Sequence, residues 1–72
     1  MNLFNEIARL RGGQSLSSVC LTCGVSRRKL YDFRNKTLVK KMKLSTVQAV
    51  LSAVNLLREQ QGEVPIAIAD VI

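Results

Sequence analysis

The stretch from Ser15 to Phe33 constrains this chain more than any other part of it. Ser15 carries a side-chain oxygen of the kind that closes a helix start. Leu16, Val19, Cys20 and Cys23 then recur at i, i+3, i+4 and i+7, one apolar stripe on a short helix. Gly24 stops that helix, Val25 follows, and Ser26 offers a second cap before Arg-Arg-Lys-Leu-Tyr-Asp-Phe-Arg. Within this second segment only Leu30 and Phe33 form an apolar pair at i, i+3. Neither helix is long enough to be stable alone, so each must be held by packing. Small Cys20 lets the two approach closely, Gly24 turns the chain between them, and Leu30 and Phe33 pin the second onto a core. The opposite face of the second helix then holds Arg27, Arg28, Tyr31 and Arg34.

The flanking segments read as helices as well. Leu3, Ile7 and Leu10 mark an amphipathic helix over about 2–11, capped by Asn2 and stopped by Gly12-Gly13. The segment from Asn35 to Lys43 reads as a lysine-bearing loop, with Leu38, Val39 and Met42 turned inward. Ser45-Thr-Val-Gln48 has the form of a capping box. Leu44, Val47, Leu51, Val54 and Leu57 continue one side of the longest helix, predicted over about 46–58. Beyond Gly62, Val64, Ile66 and Ile68 alternate with Pro65, Ala67 and Ala69, which predicts an edge strand. A short helix with Pro65 in its first turn is the alternative. The expected organisation is a domain over 1–58 and a C-terminal arm over 59–72.

Composition narrows the chemistry. The 72 residues contain no His, which removes Ser-His-Asp and Cys-His catalysis and every His-containing zinc site within one chain. No nucleophile is paired with a base, so no enzymatic activity and no cofactor are expected. Cys20 and Cys23 have the spacing of a metal-ligand pair, but a single pair on an inward stripe reads as two small buried hydrophobes, with no metal expected. A chain this short buries only about 60% of its unfolded surface, so reinforcement is needed. Two cysteines three apart give no disulfide framework, which leaves self-association, a homodimer, as the expected reinforcement. No apolar run approaches a membrane span and no signal sequence opens the chain, so a cytoplasmic location without membrane contact is expected.

Eleven Lys and Arg against five Asp and Glu give a net charge of +6. Between Arg27 and Lys43 lie eight of those basic residues and one acid, Asp32, a local charge larger than the whole chain's. A localised charge of this kind suits a polyanion. Two short helices about a glycine turn, the second presenting cations, have helix-turn-helix geometry, in which the second helix enters the DNA major groove.

Ser15-Leu-Ser-Ser-Val-Cys-Leu-Thr-Cys-Gly-Val-Ser26 resembles the L-x-x-x-A-x-x-x-G-V-S signature of the lambda-repressor-like, Cro/repressor family. Arg27 to Asn35 resembles the recognition helix that follows it, and Leu44 to Val54 the family's next helix. The resemblance covers about residues 2–57. Cys20 stands where alanine is usual, and the segment 35–43 is longer than usual. The resemblance implies an all-α bundle of four to five short helices with base contacts from Ser26, Arg27, Arg28, Tyr31 and Asp32. Paired arginines imply guanine in each half-site, each good bidentate pair discriminating by about 1–3 kcal/mol. Asp32 could accept from cytosine or pair with Arg28; Tyr31 could stack on a base or pack. Asn35 matches a phosphate-contacting position, and Ser15, Lys29, Arg34, Lys36, Lys40, Lys41 and Lys43 are the other expected phosphate contacts. The lysines 40, 41 and 43 also read simply as a solvated face.

These readings converge on a sequence-specific transcriptional repressor, a homodimer on a pseudo-palindromic operator in double-stranded DNA, autoregulatory and Cro-like, as in a phage or mobile element. Val54, Leu57, Val64, Ile66 and Ile68 are the expected dimer contacts. The alternative is an antitoxin that binds a toxin protein through the apolar tail and represses its own promoter.

Overall fold

The helices seat on one buried axis. In a computed structural model describing residues 2–10, 12 and 15–71, the longest helix, α5 (Leu44–Gln60), buries Val47, Val50, Leu51, Ala53, Val54 and Leu57. Val50 and Val54 are completely shielded from solvent. Before it come α1 (Leu3–Leu10), α2 (Leu16–Cys23), α3 (Arg27–Tyr31) and α4 (Lys36–Lys41), with a 3-10 turn at Asp32–Arg34 between the last two. Helices α1 and α2 both pack on α5, and the 3-10 turn bridges α1, α3 and α4. The fold is all-helical, and no strand occurs among the described residues. None of these helices is long and apolar enough to cross a membrane.

The caps explain most of the boundaries. Asn2 Oδ1 accepts the Asn5 N–H at 3.1 Å and starts α1, whose stripe Leu3, Ile7 and Leu10 is buried as the spacing requires. The expected end of this helix at Arg11 and the stop at Gly13 lie outside the described residues. Ser15 Oγ accepts the Ser18 N–H at 3.1 Å to start α2, and Ser26 Oγ accepts the Lys29 N–H at 3.2 Å to start α3.

Three expectations need correction. The segment 35–43 is not a loop: Asn35 Oδ1 accepts the Thr37 N–H at 2.9 Å and nucleates α4. One buried residue, Val39, seats that helix, too few to leave a stripe, while Leu38 is 39% exposed. Helix α5 begins at Leu44 from Lys43, with no side-chain cap, so Ser45 and Gln48 form no capping box and are exposed on the helix. The tail is not a strand either. With only a helix beside it, its backbone pairs with a side chain: Ile66 N–H donates to Asn55 Oδ1 at 2.7 Å and Asn55 Nδ2 donates to the Ile66 carbonyl at 3.1 Å. Ile66 is buried in the common core, Val64 is 75% exposed, and Ile68–Asp70 forms a 3-10 turn. The tail therefore belongs to the same core as residues before 58. Val54, Leu57 and Ile66, expected at a dimer surface, lie inside the protomer, and Ile68 is half-buried against the core. Of the five expected contacts only Val64 stands clear of it.

A charge network fastens the tail. Glu63 takes both terminal nitrogens of Arg9, at 2.8 and 3.0 Å, and Glu6 bonds Arg9 and the mostly buried Arg58, each at 2.9 Å. Arg58 Nε also donates to the Val64 carbonyl at 2.7 Å. Arg9 is the main cause holding both carboxyls below the usual carboxylate range, with Arg58 adding to it.

Two outcomes follow for stability. Ile66→Ala should cost about 2–4 kcal/mol in urea denaturation, whereas Val64→Ala should stay within about 0.5 kcal/mol of the parent. Because Glu6 and Glu63 hold their protons less tightly folded than unfolded, their stabilisation is complete above the ordinary glutamate pKa of about 4.3 and is lost as the pH falls through their lower folded values. Melting temperatures measured from neutral to acid pH should fall along that limb, and Glu63→Gln should flatten it.

Candidate nucleic-acid interface

The α2–α3 unit is built around one glycine. Gly24 lies at φ +70°, the left-handed region, and its N–H and that of Val25 both donate to the Cys20 carbonyl, at 2.9 and 3.3 Å. Val19 and Cys20 from α2 and Leu30 from α3 are buried at that corner, and Phe33 holds the following turn. Leu30 is completely shielded, so α3 has one fixed inward edge. Ser26, Arg27, Arg28 and Lys29 are exposed on the remainder of its first turn.

The other expected contacts divide into two groups. Arg34, Asn35, Lys36, Lys40, Lys41 and Lys43 are all exposed, continuing from α3 along α4. Tyr31 and Asp32 are half-buried. The Tyr31 ring packs on Phe4 of α1, with centroids 5.1 Å apart and planes tilted by 33°. The Arg34 guanidinium covers both rings, 4.9 Å from Tyr31 and 5.5 Å from Phe4, while its Nε donates to the Tyr31 carbonyl. This stack braces α3 against α1 and engages one edge each of an expected base contact and an expected phosphate contact. Among the described residues Asp32 makes no ion pair, so the alternative pairing with Arg28 is not formed. Ser15, Ser26 and Asn35 use their side-chain oxygens as helix caps, which leaves a hydroxyl or amide hydrogen on each for a partner.

Charge is sorted by pairing. Arg9 and Arg58 are neutralised by Glu6 and Glu63, whereas none of the eight basic residues from 27 to 43 forms an ion pair among the described residues. Among the described residues the positive charge outside ion pairs therefore lies on α3, the turn after it, α4 and Lys43. Beside it an open groove of about 540 Å³ separates α1 from the starts of α2 and α3, with Phe4, Leu16 and Tyr31 among its walls and Ser15, Ser17 and Arg27 as its polar groups.

Cys20 and Cys23 are both free thiols, Cys20 buried and Cys23 half-buried. Burial, and then the neighbouring Cys20, push the Cys23 thiol up, away from the thiolate a metal or redox site needs. No group of three metal-ligating side chains occurs among the described residues.

Sequence reasoning missed the Phe4–Tyr31–Arg34 stack. Its signal was the scarcity of aromatic residues, Phe4, Tyr31 and Phe33 alone, in a chain where Phe4 sits beside the stripe of α1. No family model matches the chain, and no curated protein or solved structure matches it either.

Gly24 supplies a clean test of the corner. A Cβ placed there meets nothing within 4 Å, so Gly24→Ala should destabilise by the left-handed backbone cost alone, about 1–2 kcal/mol. Equilibrium unfolding would read that value directly. A larger loss would mean that the turn is strained in some further way.

Proposed function

We propose that this protein is a sequence-specific DNA-binding transcriptional repressor that acts as a pair of copies on a two-fold-symmetric operator. The observation that carries the reading is the exposed first turn of α3. Arg27, Arg28 and Lys29 lie on a capped helix whose inward edge is fixed by Leu30, behind a glycine corner. In a helix-turn-helix that turn is the part presented to base edges in the major groove. Arginine has the bidentate geometry for guanine O6 and N7. The lysines at 36, 40, 41 and 43 would neutralise flanking phosphates, a role that needs exposure and charge and no fixed geometry.

The stack on Phe4 narrows the expected readout. Tyr31 is engaged by α1 and Arg34, so base reading falls on Arg27 and Arg28, with the Ser26 hydroxyl beside them still carrying its hydrogen. The antitoxin alternative relied on a free apolar tail. A tail held by Asn55 and Arg58, with Ile66 in the core, gives that alternative less to stand on.

The test is footprinting on the DNA upstream of the protein's own gene, at near-physiological salt. A discrete symmetric footprint is the expected result. Arg28→Ala should then lose about 1–3 kcal/mol against the specific site and relax one base position per half-site. Lys40→Ala should weaken all sequences alike and lower the salt slope by about one unit per contact. Binding that appears only at low salt, with no footprint, would overturn the reading.

A further inference from the structure

Reading a base sequence needs a fixed register on the duplex, and contacts to phosphate supply it. A side chain sets register only if the protein holds it in one place. Of the eight basic side chains from 27 to 43, Arg34 is held in that way. Its guanidinium carbon lies over Tyr31 and Phe4, 4.9 and 5.5 Å from the ring centroids, and its Nε donates to the Tyr31 carbonyl at 3.1 Å. Among the described residues the others make no side-chain hydrogen bond, ion pair or ring contact. The Nε bond uses one of the five guanidinium N–H groups, and the four on the terminal nitrogens have no hydrogen-bond partner among the described residues. Phe4 in turn is tied to the core by its own helix. Leu3 and Ile7 of α1 are buried, the Phe4 side chain packs partly against the same cluster, and α1 packs on α5. Support thus runs from α5 through α1 to Phe4, and from Phe4 to the ring on α3 and the guanidinium just beyond it.

We infer that Phe4 is a positioning residue for DNA reading: it seats Arg34 as a fixed anchor for one backbone phosphate, and that anchor sets where Arg27 and Arg28 meet the bases. The inference rests on the DNA-binding reading and deepens it. A guanidinium is planar and matches two phosphate oxygens at once, so a fixed one defines a direction as well as a distance. A long free side chain loses rotamer freedom when it binds, and that loss weakens the complex. Arg34 has already been ordered by folding. The exposed lysines at 36, 40, 41 and 43 follow whichever phosphate is near, which adds affinity and no register. The same ring contact fixes the roll of α3, because Tyr31 is braced by Phe4 on one side while Leu30 is buried on the other. Phe4 itself meets neither base nor phosphate; it acts through Tyr31 and Arg34.

The first measurement needs no DNA. Tyr31 is the only tyrosine and the chain has no Trp, so near-ultraviolet circular dichroism reads its ring directly. Phe4→Leu and Arg34→Lys should each change that signal, while far-ultraviolet spectra and melting establish that the variants are folded at the assay temperature. Arg34 is exposed, so Arg34→Lys tests the anchor even where Phe4→Leu loses stability. The second measurement is binding to two duplexes, the site footprinted upstream of the protein's own gene and a scramble of it. Arg34→Lys keeps the charge, so the salt slope should stay while the affinity ratio between the duplexes falls about tenfold. Phe4→Leu should do the same with no charge altered, and Phe4→Tyr, which keeps the ring, should hold the parent's ratio. Lys40→Ala should lower the slope and leave the ratio. An unchanged Tyr31 signal in both variants, or a parental ratio in both, overturns the inference and leaves the DNA reading standing. A parent that gives no footprint, or binds both duplexes alike, overturns that reading and the anchor with it.

Discussion

Everything in this structure hangs on one helix, α5, because a chain of 72 residues has room for a single buried axis. Val50 and Val54 have no solvent contact at all, and α1 and α2 reach the core by packing on the same helix. Helix α3 has only five residues and would not persist in water alone. Its position is inherited: α5 fixes α2, Gly24 fixes the angle at which the chain leaves α2, and Leu30 closes the corner. The basic residues are thus held in place by an apolar support that contains none of them.

The second organising fact is the fate of the five acidic residues. Two of them, Glu6 and Glu63, are used to pair Arg9 and Arg58 in a network joining α1, α5 and the tail. Those two arginines therefore contribute little to the field outside. The cations from 27 to 43 keep theirs. Two regions of distinct electrostatic character result on a molecule whose Cα trace spans 30 Å at its longest. Exposed ion pairs contribute little to stability in general. This network matters more for where it leaves charge than for the energy it stores.

How much was legible in the sequence depended on whether a residue's role was local. Asn2, Ser15 and Ser26 cap the helices they were expected to cap, because a cap is decided within three or four residues. The stripes of α1 and α5 read correctly for the same reason, apart from Leu44, which is 53% exposed at the start of α5. Helix α4 was hidden because Val39 alone buries, and one residue makes no period. The capping box at Ser45–Gln48 has the right spacing but the wrong start, since α5 begins at Leu44 and leaves both residues within the helix. Alternation in the tail misled more seriously. A strand needs a neighbouring strand, and whether one exists is a property of the whole fold; here the neighbour is Asn55. Among the candidate contacts, exposure of the arginines and lysines was legible from their spacing. The engagement of Tyr31 and Arg34 by Phe4 was not, because it joins residues 27 and 30 positions apart.

The Asn55 clasp makes unusual demands on substitution. Its amide must accept from one backbone group and donate to another of the same residue, Ile66. Aspartate keeps the acceptor and loses the donor, leucine keeps the shape and loses both, and glutamine moves the amide out by one carbon. Position 66, by contrast, offers its backbone to the clasp and asks of its side chain only that it be apolar and fit. A saturation mutagenesis map would therefore show an inverted profile: a half-exposed polar position narrower in tolerance than the buried hydrophobic one it holds.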